Sequence, residues 1–192
     1  MKKLFGLNKT ETAVFISGTG SNLKSLIKFS CKKKSPIIIN LIISSASNAP
    51  GLKYAKQKKI EKKVFNFSDY ANAERKILNL LSKKKIKLIC LAGFMKILSK
   101  NFIKKFSGKV INIHPSLLPK YKGLNTHKRA IENNEKFSGC SVHYVTSKLD
   151  SGKLILQKKV RINKNETENT LKQKILKQEH KLYPRAIEKI FD

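Results

Sequence analysis

Apolar stretches alternate with segments of helical periodicity through the first half of the chain. The stretches long enough to form strands lie at 13–16, 36–44, 63–67, 87–92 and 110–113. Between them, apolar residues recur three and four positions apart, which predicts helices over 22–33, 52–59 and 71–84. Continuously apolar strands are typical of a sheet that is covered on both faces. The pattern therefore predicts a parallel, doubly wound α/β sheet with helices on both faces.

The pattern becomes mixed in the second half of the chain. Two further strands are expected at 141–145 and 154–162, joined by a loop at 146–153. A terminal helix is predicted over 168–190, and we expect Pro184 to bend it. The predicted fold class is α/β, with a mostly parallel, twisted, Rossmann-like sheet and mixed strands in the C-terminal part.

Length and composition indicate one folded domain. A chain of 192 residues fits a single domain, 1–192, and a ligand site is expected at the seam between the halves 12–109 and 110–192. A hydrophobic content of 40% excludes a disordered chain. The longest apolar run, 37–43, is interrupted by Asn40 and is too short to span a bilayer.

The cysteines and the N-terminus favour a reducing compartment. Cys31, Cys90 and Cys140 are an odd number without paired spacing, which predicts neither a disulfide framework nor a zinc site. Residues 1–7 begin like a secretory leader, but the polar residues 8–12 end the apolar stretch too early. We therefore expect a cytoplasmic protein.

The net charge of +30 is extreme for a chain of this length. It predicts attraction to polyanions in general and leaves a nucleic-acid-binding protein open as an alternative. However, only four of the 42 cations are arginine, at positions 75, 129, 161 and 185. Because arginine provides the planar contacts that nucleic-acid surfaces favour, the composition indicates a general lysine bias rather than dedicated nucleic-acid binding.

A glycine-containing loop, 17–22 (SGTGSN), follows the first strand and opens a helix. Glycines allow a sharp turn, and a helix N-terminus offers free N–H groups to a phosphate. The third glycine of the dinucleotide fingerprint is replaced by Leu23, and no lysine follows at P-loop spacing. The loop is thus either a phosphate site or an ordinary strand-to-helix turn.

A carboxamide and an imidazole alternate at the end of the fifth strand. Asn112 and His114 point to the same side of the sheet, and Pro115 and Pro119 direct the chain away from it. Such a pair can hold a carbonyl oxygen and move a proton. A polar strand end followed by a capped turn is the alternative, and it is the better explanation for an isolated Asn-x-His pair.

The remaining candidates for functional residues are one acidic residue and three further histidines. Asp150 lies in a glycine-containing loop, where turn formation is its usual role; beside a histidine it would raise the pKa of the imidazole and orient it. His143 is predicted to pack or to lie at the surface, His127 to precede a helix, and His180 to lie within one.

Four segments, in this order along the chain, resemble the phosphoribosylglycinamide formyltransferase family of folate-dependent enzymes. They are ISGTGSNL at 16–23, LAGFMKIL at 91–98, INIHPSLLPKYKGL at 111–124 and QEHKLYP at 178–184. The resemblance covers nearly the whole chain. It implies the formyltransferase fold, with 12–109 as the nucleotide- and phosphate-binding half and 110–192 as the catalytic and folate-binding half.

The resemblance also implies the roles of particular residues. The implied catalytic residues are Asn112, His114 and Asp150. Those implied to bind the phosphoribosylglycinamide substrate are Gly18, Thr19, Gly20, Ser21, Asn22, Leu23 and Glu179. Those implied to bind folate are Phe94, Met95, Lys96, Ile97, Leu98, Asn112, Thr146, Ser147, Lys148, Leu149 and Asp150.

Four positions depart from the family pattern, and one of them, Lys153, replaces a common proline after the Asp-x-Gly, which is expected to change only the stiffness of the loop. Lys96 stands where the family commonly has an arginine, and lysine lacks the bidentate fork. Leu176 occupies a position where some relatives place a polar contact to the substrate phosphate, and Tyr70 falls near a position where an arginine often helps to bind the folate tail. None of these changes removes the implied catalytic trio.

The implied reaction is transfer of the formyl group of 10-formyltetrahydrofolate, a co-substrate, to the amine of phosphoribosylglycinamide in purine synthesis. Asn112 and a protonated His114 are expected to stabilise the oxygen that gains negative charge. No metal, membrane or dedicated nucleic-acid partner is expected, and the chain is expected to be a monomer or a weak homodimer. The alternatives are a formyltetrahydrofolate hydrolase, a methionyl-tRNA formyltransferase-like enzyme or a non-enzymatic basic RNA-binding module.

Overall fold

A seven-stranded sheet organises the molecule, whose computed structural model describes residues 9–192. The strands are β1 Thr10–Ile16, β2 Ile37–Ser44, β3 Glu61–Val64, β4 Leu88–Leu91, β5 Lys109–His114, β6 Phe137–Tyr144 and β7 Leu154–Arg161. The helices are α1 Ser21–Ser30, α2 Leu52–Gln57, α3 Tyr70–Lys83, α4 Lys100–Lys105, α5 Thr126–Glu132 and α6 Glu168–Phe191. The predicted secretory-like segment at 1–7 lies outside the described residues.

The strand order is β3-β2-β1-β4-β5-β6-β7. The first five strands are parallel, and β6 and β7 are antiparallel additions to the edge formed by β5. The order reverses between β1 and β4, so a crevice opens at the carboxyl ends of these strands, where open α/β sheets bind ligands. The predicted fold class is confirmed.

Helices cover both faces of the sheet because successive strand residues point to opposite sides. In β1, Val14 and Ile16 pack into the core shared with α1, α2 and α6. Ala13 and Phe15, which alternate with them, pack into the core shared with α3 and α4. Continuous apolarity in the central strands thus corresponds to burial on both faces.

The short elements differ most from the sequence prediction. The helix α4, of six residues, was not predicted, and α5, of seven residues, begins at Thr126, so that His127 lies inside it rather than before it. The predicted strand at 63–67 is β3 at Glu61–Val64, an edge strand whose side chains are all exposed. These segments are too short, or too polar, for periodicity to define them. Within residues 9–192, no helix combines the length and apolarity needed to cross a bilayer.

Candidate active site

A cleft of about 920 Å³ lies at the carboxyl ends of the parallel strands, and most of the candidate catalytic and binding residues line it. All of the implied site residues line it except Leu23 and Ser147. Leu23 is fully buried in the core, and Ser147 is exposed on the loop between β6 and β7. The side chains of these two residues therefore do not reach a ligand in the cleft.

The implied catalytic trio meets in the middle of the cleft. Asn112 and His114 come from the end of β5, and Asp150 comes from the loop that joins β6 to β7. His114 Nδ1 lies 3.4 Å from Asp150 Oδ2, and each of these side chains is 7% exposed. Asp150 Oδ2 also accepts a hydrogen bond from the Gly123 N–H, at 2.9 Å. The fold thus brings together three groups that are up to 38 positions apart in the sequence.

A second histidine joins this cluster: His143 is buried, as one of the two expected alternatives had it, and it also lines the cleft. His143 pairs with Asn112 across the antiparallel β5–β6 register. Its Nε2 lies 3.4 Å from Asn112 Nδ2 and 3.6 Å from Asp150 Oδ1, and the side chain is buried. The alternation of residues along β6 predicts on which side of the strand the His143 side chain lies. Only the pairing of β6 with β5 shows which groups that side chain contacts.

His114 is held in a defined tautomer. Its Nε2 donates to the Tyr121 carbonyl at 2.8 Å, so the second nitrogen, Nδ1, is the atom that gains or loses a proton. Burial lowers the pKa of His114 below its ordinary value, although the Tyr121 carbonyl and the Asp150 charge act in the opposite direction. At neutral pH His114 is therefore uncharged at rest, because desolvation outweighs the carboxylate. The protonated form that is expected in the reaction arises when Nδ1 takes up a proton.

Asp150 remains an anion beside this neutral imidazole. Burial alone raises the pKa of its carboxyl, but the hydrogen bonds from His143 and Gly123 and the proximity of His114 bring the pKa below its ordinary value. The pair is thus an ionised carboxylate next to a neutral base. Such a pair can accept a proton at His114 and stabilise the resulting imidazolium.

The loop at the start of α1 leaves backbone N–H groups free for an anion. Gly20 caps α1 with φ +72° and without a side-chain hydrogen bond, so the first N–H groups of the helix point into the cleft. A Cβ on Gly20 would lie 2.6 Å from Gly51 Cα, whereas a Cβ on Gly18 would meet nothing within 4 Å. Gly20 is thus required for packing, and the space beside Gly18 is open to a ligand.

A buried carboxyl faces this loop from α6. Asn22 Nδ2 donates to Glu179 Oε2 at 2.7 Å, and Glu179 is only 6% exposed. Burial raises the pKa of Glu179 to about 7, in spite of the hydrogen bond from Asn22, which lowers it. Asn22 Oδ1 is buried and has no hydrogen-bond partner among residues 9–192. The carboxyl can therefore change protonation near neutral pH when a ligand arrives.

The opposite end of the cleft is apolar and open. Met95 and Ile97 are 64% and 63% exposed at its mouth, and Leu149 faces them from the loop after β6. Ser17 fixes this segment, because its Oγ accepts a hydrogen bond from the Met95 N–H at 2.8 Å and its N–H donates to the Gly93 carbonyl at 3.0 Å. Exposed apolar side chains around a cleft are typical of a site for a flat, largely apolar ligand.

The positions that depart from the family pattern are divided between the cleft and the surface. Lys96 and Leu176 line the cleft, whereas Tyr70 does not and instead packs edge-to-face on Phe67 at 5.1 Å. Within residues 9–192, no group of three or more His, Cys, Asp or Glu side chains is arranged to hold a metal ion.

Comparison with known proteins gives the family. The sequence profile described as Formyl transferase matches residues 10–187. The chain is 42% identical over 178 residues to a phosphoribosylglycinamide formyltransferase of Haemophilus influenzae, covering 91% of this chain and 84% of that protein. It is 40% identical over 187 residues to the human trifunctional purine biosynthetic protein adenosine-3, covering 96% of this chain but only 18% of that protein.

A solved structure agrees over the full fold. The crystal structure of phosphoribosylglycinamide formyltransferase from Brucella melitensis matches with a TM-score of 0.90 and 39% identity, covering 95% of this chain and 96% of that one. The doubly wound sheet, with a carboxamide, an imidazole and a carboxylate in the cleft at the carboxyl ends of its strands, is the arrangement of an α/β group-transfer enzyme. The chain belongs to the formyl transferase family, and the full-length matches are to its phosphoribosylglycinamide formyltransferase branch. The predicted family is confirmed.

Proposed function

We propose that this chain transfers the formyl group of 10-formyltetrahydrofolate to the amine of 5-phosphoribosylglycinamide. The products are formylglycinamide ribonucleotide and tetrahydrofolate, a step of purine (IMP) synthesis. The observation that carries this proposal is the position of the Asn112–His114–Asp150 cluster, between an anion-binding loop and an apolar mouth of the same cleft. The names of the relatives of matching length support the same activity.

Each end of the cleft fits one substrate. The free N–H groups at the start of α1 bind the phosphate, and Glu179 lies beside them to contact the glycinamide part of the substrate. The folate ring system lies against the apolar segment 93–98 and the loop 146–150. The two ends meet at the cluster, so both substrates present their reacting atoms to it, and this positioning accounts for much of the rate acceleration.

The residues of the cluster divide the chemistry. Asn112 donates a hydrogen bond to the formyl oxygen as it gains negative charge, and one such donor contributes about 3–4 kcal/mol to barrier lowering. His114 accepts the proton of the attacking amine at Nδ1 while the new N–C bond forms. Asp150 stabilises the imidazolium through its charge. His114 then returns the proton to the departing folate nitrogen as the old C–N bond breaks.

The test is a turnover assay with both substrates. Mixing the protein with 10-formyltetrahydrofolate and phosphoribosylglycinamide should produce tetrahydrofolate, measured by absorbance, only when both are present. Release of formate without the ribonucleotide would instead indicate a hydrolase, and transfer to charged initiator tRNA would indicate the tRNA enzyme. No turnover, together with tight and salt-sensitive RNA binding, would support the non-enzymatic alternative.

Substitutions in the cluster link turnover to the proposed residues. Asn112→Ala, His114→Ala and Asp150→Asn should each lower kcat by at least about 10²-fold, because each removes a group that acts in the transition state. His180→Ala is the matched control, because His180 lies on α6 outside the cleft. A His114→Ala variant with nearly unchanged kcat would contradict the proposed proton transfer.

We further propose that the enzyme acts in the cytoplasm as a monomer or weak homodimer. The three cysteines are all free, and Cys90 and Cys140 are buried, which supports a reducing compartment. Sedimentation at several protein concentrations measures the oligomeric state.

A further inference from the structure

The inner face of α6 carries a cation that the chemistry above does not use. Four α6 residues, at 168, 172, 176 and 179, line the cleft, and their spacing of three or four places them on one helical face. Two of them are glutamates and one is Leu176. Lys172 is therefore the only cation that α6 contributes to the lining of the cleft.

This cation is not neutralised by the protein around it. No carboxylate lies within ion-pair distance of the Lys172 ammonium among residues 9–192, not even that of Glu168, one turn away. The positive charge of Lys172 acts on another residue that lines the cleft. The pKa of His127, on α5, falls to about 4, first through burial and then through the charge of Lys172. The Lys172 side chain is exposed at the cleft, and its charge remains available to a ligand.

The ligand space next to α6 requires such a charge. The hydrogen bond between Asn22 and Glu179 joins the start of α1 to α6, so an anion bound at the start of α1 lies beside Glu179, about two turns from Lys172 on the same helical face. A phosphate there is repelled by the Glu179 carboxylate whenever it is ionised. The other two lysines that line the cleft, Lys96 and Lys148, belong to the segments at the apolar end. Only Lys172 offsets this repulsion from the α6 side.

We propose that Lys172 binds the phosphate of the ribonucleotide substrate and sets the affinity of the cleft for it. This inference rests on the proposed function and adds a binding residue to it. Leu176 lies one turn nearer to Glu179 on the same face, where it cannot bind an anion. In this chain the positively charged contact to the phosphate therefore comes from Lys172, and the apolar Leu176 provides none.

The test separates binding of the two substrates. Lys172→Ala should raise the KM for phosphoribosylglycinamide about 10-fold, as expected for loss of a charge-assisted contact. The KM for 10-formyltetrahydrofolate and the kcat at saturation should change by less than about 2-fold. Lys172→Arg should retain most of the affinity because it keeps the charge. Lys177→Ala is the matched control, since Lys177 is exposed on α6 outside the cleft.

A second-site variant distinguishes binding from a structural effect. Adding Leu176→Lys to Lys172→Ala should return the KM for the ribonucleotide toward the wild-type value, because it moves the cation by one turn on the same face. An unchanged KM in Lys172→Ala, or an equal rise in both KM values, would overturn the proposal. So would a double variant without recovery.

Inorganic phosphate provides a readout that does not depend on turnover. Phosphate should raise the Tm of the wild-type protein, and it should raise that of Lys172→Ala less. If the wild-type protein shows this stabilisation but no formyl transfer, the proposed function fails while the anion contact stands. If formyl transfer occurs and phosphate stabilises both proteins equally, the role of Lys172 fails while the proposed function stands.

Discussion

Burial brings the titration of the Glu179 carboxyl into the neutral pH range. The carboxyl is buried against Asn22, and its pKa rises from 4.5 to about 7. A carboxyl with a raised pKa stabilises the folded state only while it is protonated. The stability that it contributes is therefore present below pH 4.5 and is lost as the pH rises through about 7. The shift corresponds to a loss on the order of 3 kcal/mol across that window.

Glu179→Gln should remove this pH-dependent loss, because an amide of the same shape does not titrate. The free energy of unfolding in urea, measured between about pH 5 and pH 8, should decrease more in the wild-type protein than in the variant. Comparing the two proteins cancels the contributions of the histidines, whose titration is common to both. Parallel pH profiles of the two proteins would show that the carboxyl is not desolvated in the folded state.

At the residue scale, the sequence predicted which side chains carry the chemistry but not which other side chains they contact. Asn112 and His114 were predicted to share one face because β5 alternates, and they do. The position of Asp150 beside His114 could not be predicted, since it depends on a loop that crosses from another strand. His143 was missed for a similar reason, because the register of β5 against β6 is a long-range property.

At the scale of elements, the two glycines at the start of α1 have different tasks. Gly20 has a positive φ and touches Gly51, so a side chain there would force the two loops apart. Gly18 has open space on its Cβ side and lines the cleft. The sequence predicted one tight, phosphate-binding loop that contains both glycines. Only the packing in the structure shows that Gly20 is needed for the fold, whereas Gly18 faces the ligand space.

Gly18→Val should therefore raise the KM for the ribonucleotide by at least about 10-fold, because the side chain fills the anion site, with a Tm close to that of the wild-type protein. Gly20→Val should lower the Tm clearly, because of both the clash and the strained backbone. Kinetics and thermal unfolding of both variants check these outcomes. A Gly18→Val protein with wild-type affinity for the ribonucleotide would place the phosphate elsewhere.

The long elements were predictable from their apolar period, whereas the short helix α4 was not, for a physical reason. The strands β1, β2 and β5 and the helices α1, α3 and α6 have apolar patterns that are long enough to show their period. The helix α4 is stabilised by the burial of Phe102 and by its cap, in which the Ser99 side chain accepts from the Phe102 N–H at 3.0 Å. Contacts of this kind produce no apolar periodicity that can be recognised in a sequence of six residues.

At the scale of the whole molecule, the net charge of +30 acts on the substrates before they bind. Both proposed substrates are anions, and Lys96, Lys148 and Lys172 line the cleft that receives them. Near the start of α1, Lys24 and Lys53 also lie over the Tyr54 ring, with their Nζ atoms 5.8 and 5.3 Å from its centre. A positive field around a cleft raises the association rate of anions without any change in the chemical step.

We therefore expect kcat/KM for each substrate to fall several-fold as sodium chloride rises from about 0.01 to 0.1 M, because the Debye length shortens from about 30 to about 10 Å. The kcat at saturation should stay constant, since the buried cluster is screened little. Steady-state kinetics at constant pH measure both quantities, and sodium phosphate is the matched comparison, because it should inhibit beyond its ionic strength by occupying the anion site. A kcat/KM that is independent of salt, combined with salt-sensitive RNA binding, would mean that the lysine surface serves a polyanion rather than the substrates.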